Sequence, residues 1–141
     1  MIRQAKLEDS PALYSLLQQL GYTSKLTQVE QALAGNNKDS DVYVYELSTK
    51  VVGFISVIRF FYFPTTQYVT RITAICVDEQ HRSLGIGSEL LSFAEGFAAS
   101  FGDVLVEITC SIQREQTHRF YLQHGYSKHS YKFVKQLNKL E

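Results

Sequence analysis

Arg82-Ser83-Leu84-Gly85-Ile86-Gly87 is the stretch of this chain best suited to hold a charged ligand. It follows an apolar, strand-like run from Ile72 to Val77 and opens an amphipathic helix from Ser88 to Phe101. A strand that feeds a glycine-bearing turn into a helix builds an anion cradle, because the first-turn N–H groups point at the ligand and the helix dipole favours negative charge there. Gly85 and Gly87 let the backbone approach such a ligand closely. The spacing R-x-x-G-x-G is shorter than the dinucleotide fingerprint G-x-G-x-x-G and lacks the Gly-Lys-Ser/Thr ending of a P-loop, so it specifies neither ligand. Taken alone, it also reads as a helix start with incidental glycines.

Glu107 is a carboxylate in the middle of the apolar run Val104 to Cys110. Such a group orients a water or holds a substrate ammonium, unless side-chain alternation turns it to solvent. Alternation would place Val104, Val106 and Ile108 on one side and Leu105, Glu107 and Thr109 on the other. Glu79 and His81 flank the glycine turn and read as surface residues. His118, His124 and His129 show no metal-ligand spacing with Cys76 and Cys110, so no metal is expected.

Farther along, His118-Arg119-Phe120-Tyr121-Leu122-Gln123-His124-Gly125-Tyr126 forms a second block, about forty residues after the first. The interval holds one helix and one strand, in that order. Order, spacing and element type agree. The two blocks together resemble the pyrophosphate loop and the F-Y-x-x-x-G-F/Y segment of the GNAT superfamily of acyl-CoA-dependent N-acetyltransferases, and the resemblance covers nearly the whole chain, weakening before about residue 50.

This resemblance implies acetyl-CoA as cosubstrate, with its pyrophosphate on Arg82, Ser83, Leu84, Gly85, Ile86, Gly87 and Ser88. It implies that the strands Ile72 to Val77 and Val104 to Cys110 splay at their ends, and that pantetheine lies in the cleft, paired with backbone groups of Ile75, Cys76 and Val77 by strand addition. Tyr121 matches the tyrosine that in many members points at the thioester sulfur. Phenol and thiol pKa values of about 10 and 8.5 allow it to protonate the leaving thiolate without a strong shift. Packing as an aromatic pair with Phe120 is the other reading of Tyr121. The oxyanion donor is expected to be a main-chain N–H near Val77.

The nucleophile is less well provided for. An amine of pKa about 10.4 is only about one part in two thousand neutral at pH 7, a cost of roughly 4–5 kcal/mol that a base or a lowered amine pKa must offset. Direct-transfer GNAT enzymes often place a glutamate on the strand before the loop. Here Val69 to Val77 holds no carboxylate, which leaves Glu107 as the best substitute.

The elements that must position these residues form a mixed α/β order, β-α-α-β-β-β-α-β-α-β, with a mostly antiparallel sheet and about four helices, as the resemblance implies. A short strand from Ile2 to Ala5 precedes the cap Asp9-Ser10-Pro11, a helix with Leu13, Leu16, Leu17 and Leu20 at helical spacing, and a closing Gly21. Thr27-Gln28-Val29-Glu30 reads as the capping box of a second helix through Leu33, ended by Gly35. Val42 to Leu47 and Val51 to Phe61 form a hairpin around Ser48-Thr49-Lys50, and Gln67 to Val77 continues the sheet. A short helix from about Glu115 to His124 leads to a terminal strand from Tyr126 to Leu137.

At 141 residues and 45% hydrophobic, the chain is expected to be one domain, residues 1–141, with a core of its own. Fourteen basic and fourteen acidic residues cancel, giving no global charge to recruit nucleic acid or an anionic membrane. Without a signal-peptide core or a bilayer-length apolar run, and with Cys76 and Cys110 read as buried thiols, the expected location is the cytoplasm.

Specificity is expected in Phe60-Phe61-Tyr62-Phe63-Pro64, a connection between strands, and in Gly21 to Thr27, between helices. The aromatic run serves as an apolar slot or ammonium cage, as a homodimer interface, or as plain core. His118 to Leu122 and the ending Phe133-Val134-Lys135-Gln136-Leu137 also resemble aminoalkylphosphonate N-acetyltransferases and related small-amine enzymes. The leading expectation is acetyl transfer to a small-molecule primary amine by direct attack in a ternary complex. A protein N-terminal or lysine acetyltransferase and a non-catalytic acyl-CoA-binding module are the alternatives; the acceptor's identity and the oligomeric state stay open.

Overall fold

Alternation of side chains on the longest strand decides the layering. The computed structural model describes residues 1–36, 40–110 and 115–138, and the chain divides into two compact units, Met1–Thr109 and Cys110–Glu141.

In the first unit, β1 (Ile2–Gln4), β2 (Asp41–Leu47), β3 (Lys50–Tyr62), β4 (Gln67–Val77) and β5 (Val106–Ile108) lie side by side in sequence order. The first four are antiparallel neighbours, whereas β5 runs parallel to β4 and is reached through a helix, as a parallel pair requires. Phe54 of β3 turns to one face, where it joins Leu13, Leu16, Val29, Val44 and Cys76 beneath α1 (Ser10–Leu20) and α2 (Leu26–Gln31). Gly53 turns to the other, where an added Cβ would lie 3.5 Å from Leu90 and 3.6 Å from Ile86 of α3 (Ile86–Ser100). Tyr43 of β2 meets Phe93 of α3 on that same face, with ring centroids 4.6 Å apart. Both sheet faces are therefore covered by helix.

The local signals acted largely as physics requires. Gly21, at φ 104°, closes α1 in a Schellman motif, with Tyr22 N–H bonded to Leu17 C=O and Gly21 N–H to Gln18 C=O at 3.0 Å each. The cap of α2 falls earlier than its sequence suggests: Gln28 Oε1 accepts from the Lys25 N–H at 2.8 Å, so Thr27 already lies inside the helix. The β2–β3 loop is the two-residue Ser48-Thr49, both at positive φ, and Lys50 belongs to β3. The aromatic run is less of a connection than expected, because Phe60, Phe61 and Tyr62 remain on β3 and only Phe63–Thr65 turns.

In the second unit, α4 (Glu115–Gln123) ends as α1 does. Gly125 sits at φ 89°, Tyr126 N–H bonds to Tyr121 C=O at 3.1 Å and Gly125 N–H to Leu122 C=O at 3.2 Å. The Tyr121 and Tyr126 rings, 6.1 Å apart, supply the apolar contact that accompanies this cap. The expected strand from Tyr126 to Leu137 is absent: those residues carry no regular structure, and Tyr131, Phe133, Val134 and Leu137 are exposed. β-propensity records packing on a pleated surface more than a backbone preference, and this run has no ladder partner among the described residues.

Candidate active site

The site starts from one extra residue. β3 and β4 pair Ser56 with Ala74 and Val57 with Ile72, leaving Thr73 as a β-bulge. Its hydroxyl lies 2.9 Å from Ser56 Oγ and 3.2 Å from the Ser56 carbonyl, and Ser56 Oγ is 3.1 Å from Ser40 Oγ. A bulge bends its strand and sharpens the twist. Pairing with β5 covers only Thr70, Arg71 and Ile72, stopping where the bulge begins, while β4 runs on to Val77. The strands part there. Ala74 to Val77 then present one strand edge to β3 and the other to a cleft with no neighbouring strand among the described residues.

β4 delivers the chain into a tightly held turn. Asp78 N–H donates to Val52 C=O at 2.8 Å, and the Asp78 carboxylate accepts from Gln19 Nε2 at 2.9 Å and faces His81 Nδ1 at 2.7 Å. These contacts, Gln19 first, hold the Asp78 carboxyl below its ordinary pKa. Gln19 Oε1 also accepts from Glu79 N–H at 3.1 Å, so the last turn of α1 fixes the approach to the glycine loop. Arg82 Nε donates to Val77 C=O at 3.1 Å. Ser83 and Gly85 both adopt left-handed φ, 66° and 83°, and Gly85 is the N-cap of α3 without a side-chain cap. The first intrahelical bond runs from Glu89 N–H to Gly85 C=O, so Ile86 and Gly87 direct their N–H groups out of the helix end. An extended edge followed directly by an anion-binding helix terminus suits a molecule with amides along one arm and phosphate at its end.

The sequence pattern of the Acetyltransferase (GNAT) family matches residues 10–126. The chain belongs to that family. It is an acyl-CoA-dependent N-acetyltransferase, and the family's acyl donor is acetyl-CoA. It is 33% identical over 140 residues to an aminoalkylphosphonate N-acetyltransferase of Salmonella typhimurium, covering 96% of this chain and 90% of that protein. In fold it resembles a ribosomal-protein-alanine N-acetyltransferase from Brucella melitensis (TM-score 0.82, 17% identity, 97% and 98% of the two chains). It also resembles a glucosamine-6-phosphate N-acetyltransferase from Arabidopsis thaliana (TM-score 0.79, 22% identity, 98% of each).

Within this GNAT chain the expected site residues fall as follows. Ile75, Cys76 and Val77 lie on β4 beyond the bulge, and the Cys76 side chain is buried with its thiol donating to Leu16 C=O at 3.5 Å. Arg82 to Ser88 form the loop and the first turn of α3. Glu107 lies on β5, where its carboxylate meets the Arg71 guanidinium at 2.5 Å. Tyr121 lies on α4 in the second unit and is buried, its ring 5.6 Å from Phe120. The structure adds Arg71, Asp78, Gln19 and the Ser40–Ser56–Thr73 hydroxyl cluster to these residues. A charge inside the apolar run Val69 to Val77 was a visible signal for Arg71. Nothing in the sequence announces that Gln19 and Asp78 meet.

Proposed function

We propose that the protein transfers acetyl from acetyl-CoA to the primary amine of a small molecule, by direct attack within a ternary complex. The parting of β4 from β5 at Thr73, on the strand that leads into the Gly85 turn, is the observation that carries this reading. The pantetheine amides pair along Ile75, Cys76 and Val77, and the pyrophosphate rests on the loop from Arg82 to Ser88 with the Arg82 guanidinium beside it. An amine nitrogen attacks the thioester carbon, the C–N bond forms as the C–S bond breaks, and a β4 main-chain N–H near Val77 takes the oxyanion. The ammonium loses one proton before attack; as the adduct collapses, the thiolate takes a proton from Tyr121 and the second amine proton is released and restores the Tyr121 phenol, giving amide and free thiol. Glu107 serves the acceptor by orienting a water or holding the ammonium.

The reading treats both units as parts of one catalytic domain, which the family match across residues 10–126 supports. A small acceptor is favoured by a pocket of about 240 Å³ between α1, α2 and the sheet, lined in part by Leu13, Leu17, Ser24, Phe54, Ser56 and Ala74. Ser24 comes from the segment between α1 and α2, and Ala74 follows the bulge. The small-molecule acceptor in the name of the Salmonella relative points the same way. A balanced charge favours neither basic peptides nor nucleic acid as partner, and a working place in the cytoplasm is part of the same proposal. Thiol release from acetyl-CoA, measured over a panel of small amines and of peptides, tests the reading. Small amines should be turned over in preference. Faster turnover of peptides would assign a protein substrate, and tight acetyl-CoA binding without turnover of any amine would make the chain a binding module.

A further inference from the structure

Arg71 and Glu107 are register partners on the parallel pair, one step before β4 and β5 part. Ile72 sits opposite Val57, on the face that carries α3, so its neighbour Arg71 points to the face of α1 and α2. Ala74, past the bulge, points to that same face and lines the pocket there. The guanidinium gives Nε and Nη2 to a single carboxylate oxygen, Oε1, at 2.5 Å each. It is braced from the side by the Phe60 ring, 4.7 Å from the centroid. Among the described residues, Glu107 Oε2 and Arg71 Nη1 meet no protein partner. More than a third of each side chain, 38% and 36%, remains open to solvent.

An ion pair this exposed contributes little to folding. What it offers is one carboxylate oxygen and one guanidinium nitrogen left over from the pair, next to the point where β4 and β5 part. We infer that Arg71 and Glu107 form a two-ended receptor for the acceptor molecule, with Glu107 taking the ammonium and Arg71 the acid group of an amine that carries both a short chain apart. The inference rests on the acetyltransferase reading above and narrows its substrate class. The guanidinium keeps its charge at any working pH, and its planar fork fits an oxyanion of carboxylate, sulfonate or phosphonate type. A neutral pair receiving a zwitterion also leaves no unbalanced charge in the complex, whereas a simple alkylamine leaves Arg71 without a counterpart for its free donor.

The test is calorimetric titration of 2-aminoethylphosphonate, β-alanine and n-propylamine into protein saturated with CoA, with thiol release from acetyl-CoA measured in parallel. Wild type should bind the two acids at least tenfold more tightly than n-propylamine. Arg71→Gln should remove that preference and Arg71→Lys retain part of it, with acetyl-CoA affinity reporting that each variant is folded. Glu107→Gln should weaken all three amines together, at least fivefold. No preference in wild type, or an undiminished preference in a folded Arg71→Gln or Arg71→Lys protein, overturns the receptor. Binding of the acids through Arg71 without thiol release would uphold the receptor and sink the acetyltransferase reading; turnover of n-propylamine without acid preference would do the reverse.

Discussion

At the scale of single residues, the glycine turn separates binding from folding unusually well. Gly85 carries the left-handed φ, whereas Gly87 is an ordinary residue of the first turn of α3, so a side chain at Gly87 meets no backbone strain. Gly87→Glu replaces a poor helix former and puts a carboxylate at the positive end of the helix, changes that favour the helix by about 0.5–1 kcal/mol each. The same carboxylate opposes a pyrophosphate. The expected outcome is a melting temperature equal to or above wild type with acetyl-CoA affinity at least tenfold weaker, read by thermal unfolding and calorimetry; unchanged affinity in the folded variant would remove the phosphate-loop assignment. Tyr121→Phe asks a different question, since the ring also serves as the apolar partner of Tyr126 in the cap of α4. If the phenol protonates the thiolate, kcat should fall by a factor of about 10²–10⁴ with acetyl-CoA affinity nearly constant, and the high-pH loss of activity in wild type should vanish. A variant with full activity and the wild-type pH profile would reduce Tyr121 to its packing role.

At the scale of elements, turn chemistry explains both what the sequence disclosed and where it misled. Gly21 and Gly125 each mark a Schellman ending, and the F-Y-x-x-x-G-Y block is, physically, a helix whose third-last position and first residue past the glycine are joined by tyrosine rings. The hairpin loop was harder to place. Ser48 and Thr49 occupy a two-residue turn at φ 49° and 67° that normally selects asparagine and glycine, so their composition did not fix which residues belong to the turn. A left-handed residue other than glycine costs about 1–2 kcal/mol, and the β-branched Thr49 is the poorer fit. Thr49→Gly should therefore stabilise the protein by about 1 kcal/mol in chemical denaturation without altering acetyl-CoA affinity. Loss of stability on that substitution would mean that the Thr49 hydroxyl, which donates to the Ser48 carbonyl at 2.5 Å, matters more than the strain.

At the scale of the whole molecule, the α/β order and the covered sheet were readable because hydrophobic periodicity reports which faces are buried. Register was not, since it depends on which strands meet and where a bulge intervenes. Arg71 and Glu107 are 36 positions apart, and only the alignment of β4 with β5 joins them. The same holds for Arg59, whose guanidinium grips the carboxylate of the nearly buried Asp103 through two bonds of 2.7 Å, with Thr70 donating a third at 2.9 Å and Tyr68 and Phe101 flanking it. Arg59 above all holds the Asp103 carboxyl below its ordinary value of 3.8, so the folded state favours the ionised form more than the unfolded state does. That contribution is complete above the unfolded value and disappears as pH falls through the lower folded value. Asp103→Asn should cost about 2–3 kcal/mol at neutral pH, less than a fully buried pair because about a quarter of the Arg59 side chain stays in water. The difference from wild type should shrink as denaturation is repeated toward pH 3; a constant difference across that range would argue against the ion pair.

The bulge at Thr73 is, in design terms, a single inserted letter that opens a site. Ser56 and Val57 are consecutive on β3, and their partners Ala74 and Ile72 would be consecutive on β4 if Thr73 were removed. Every other side chain of the strand would then keep its present face, and the ladder would close without a defect. A chain lacking Thr73 is thus expected to be at least as stable as wild type, with a straighter β4 able to go on pairing with β5 and little room left between them for an acyl donor. Comparing the melting temperature and acetyl-CoA affinity of that deletion with those of wild type would show how much regularity the protein gives up in order to bind.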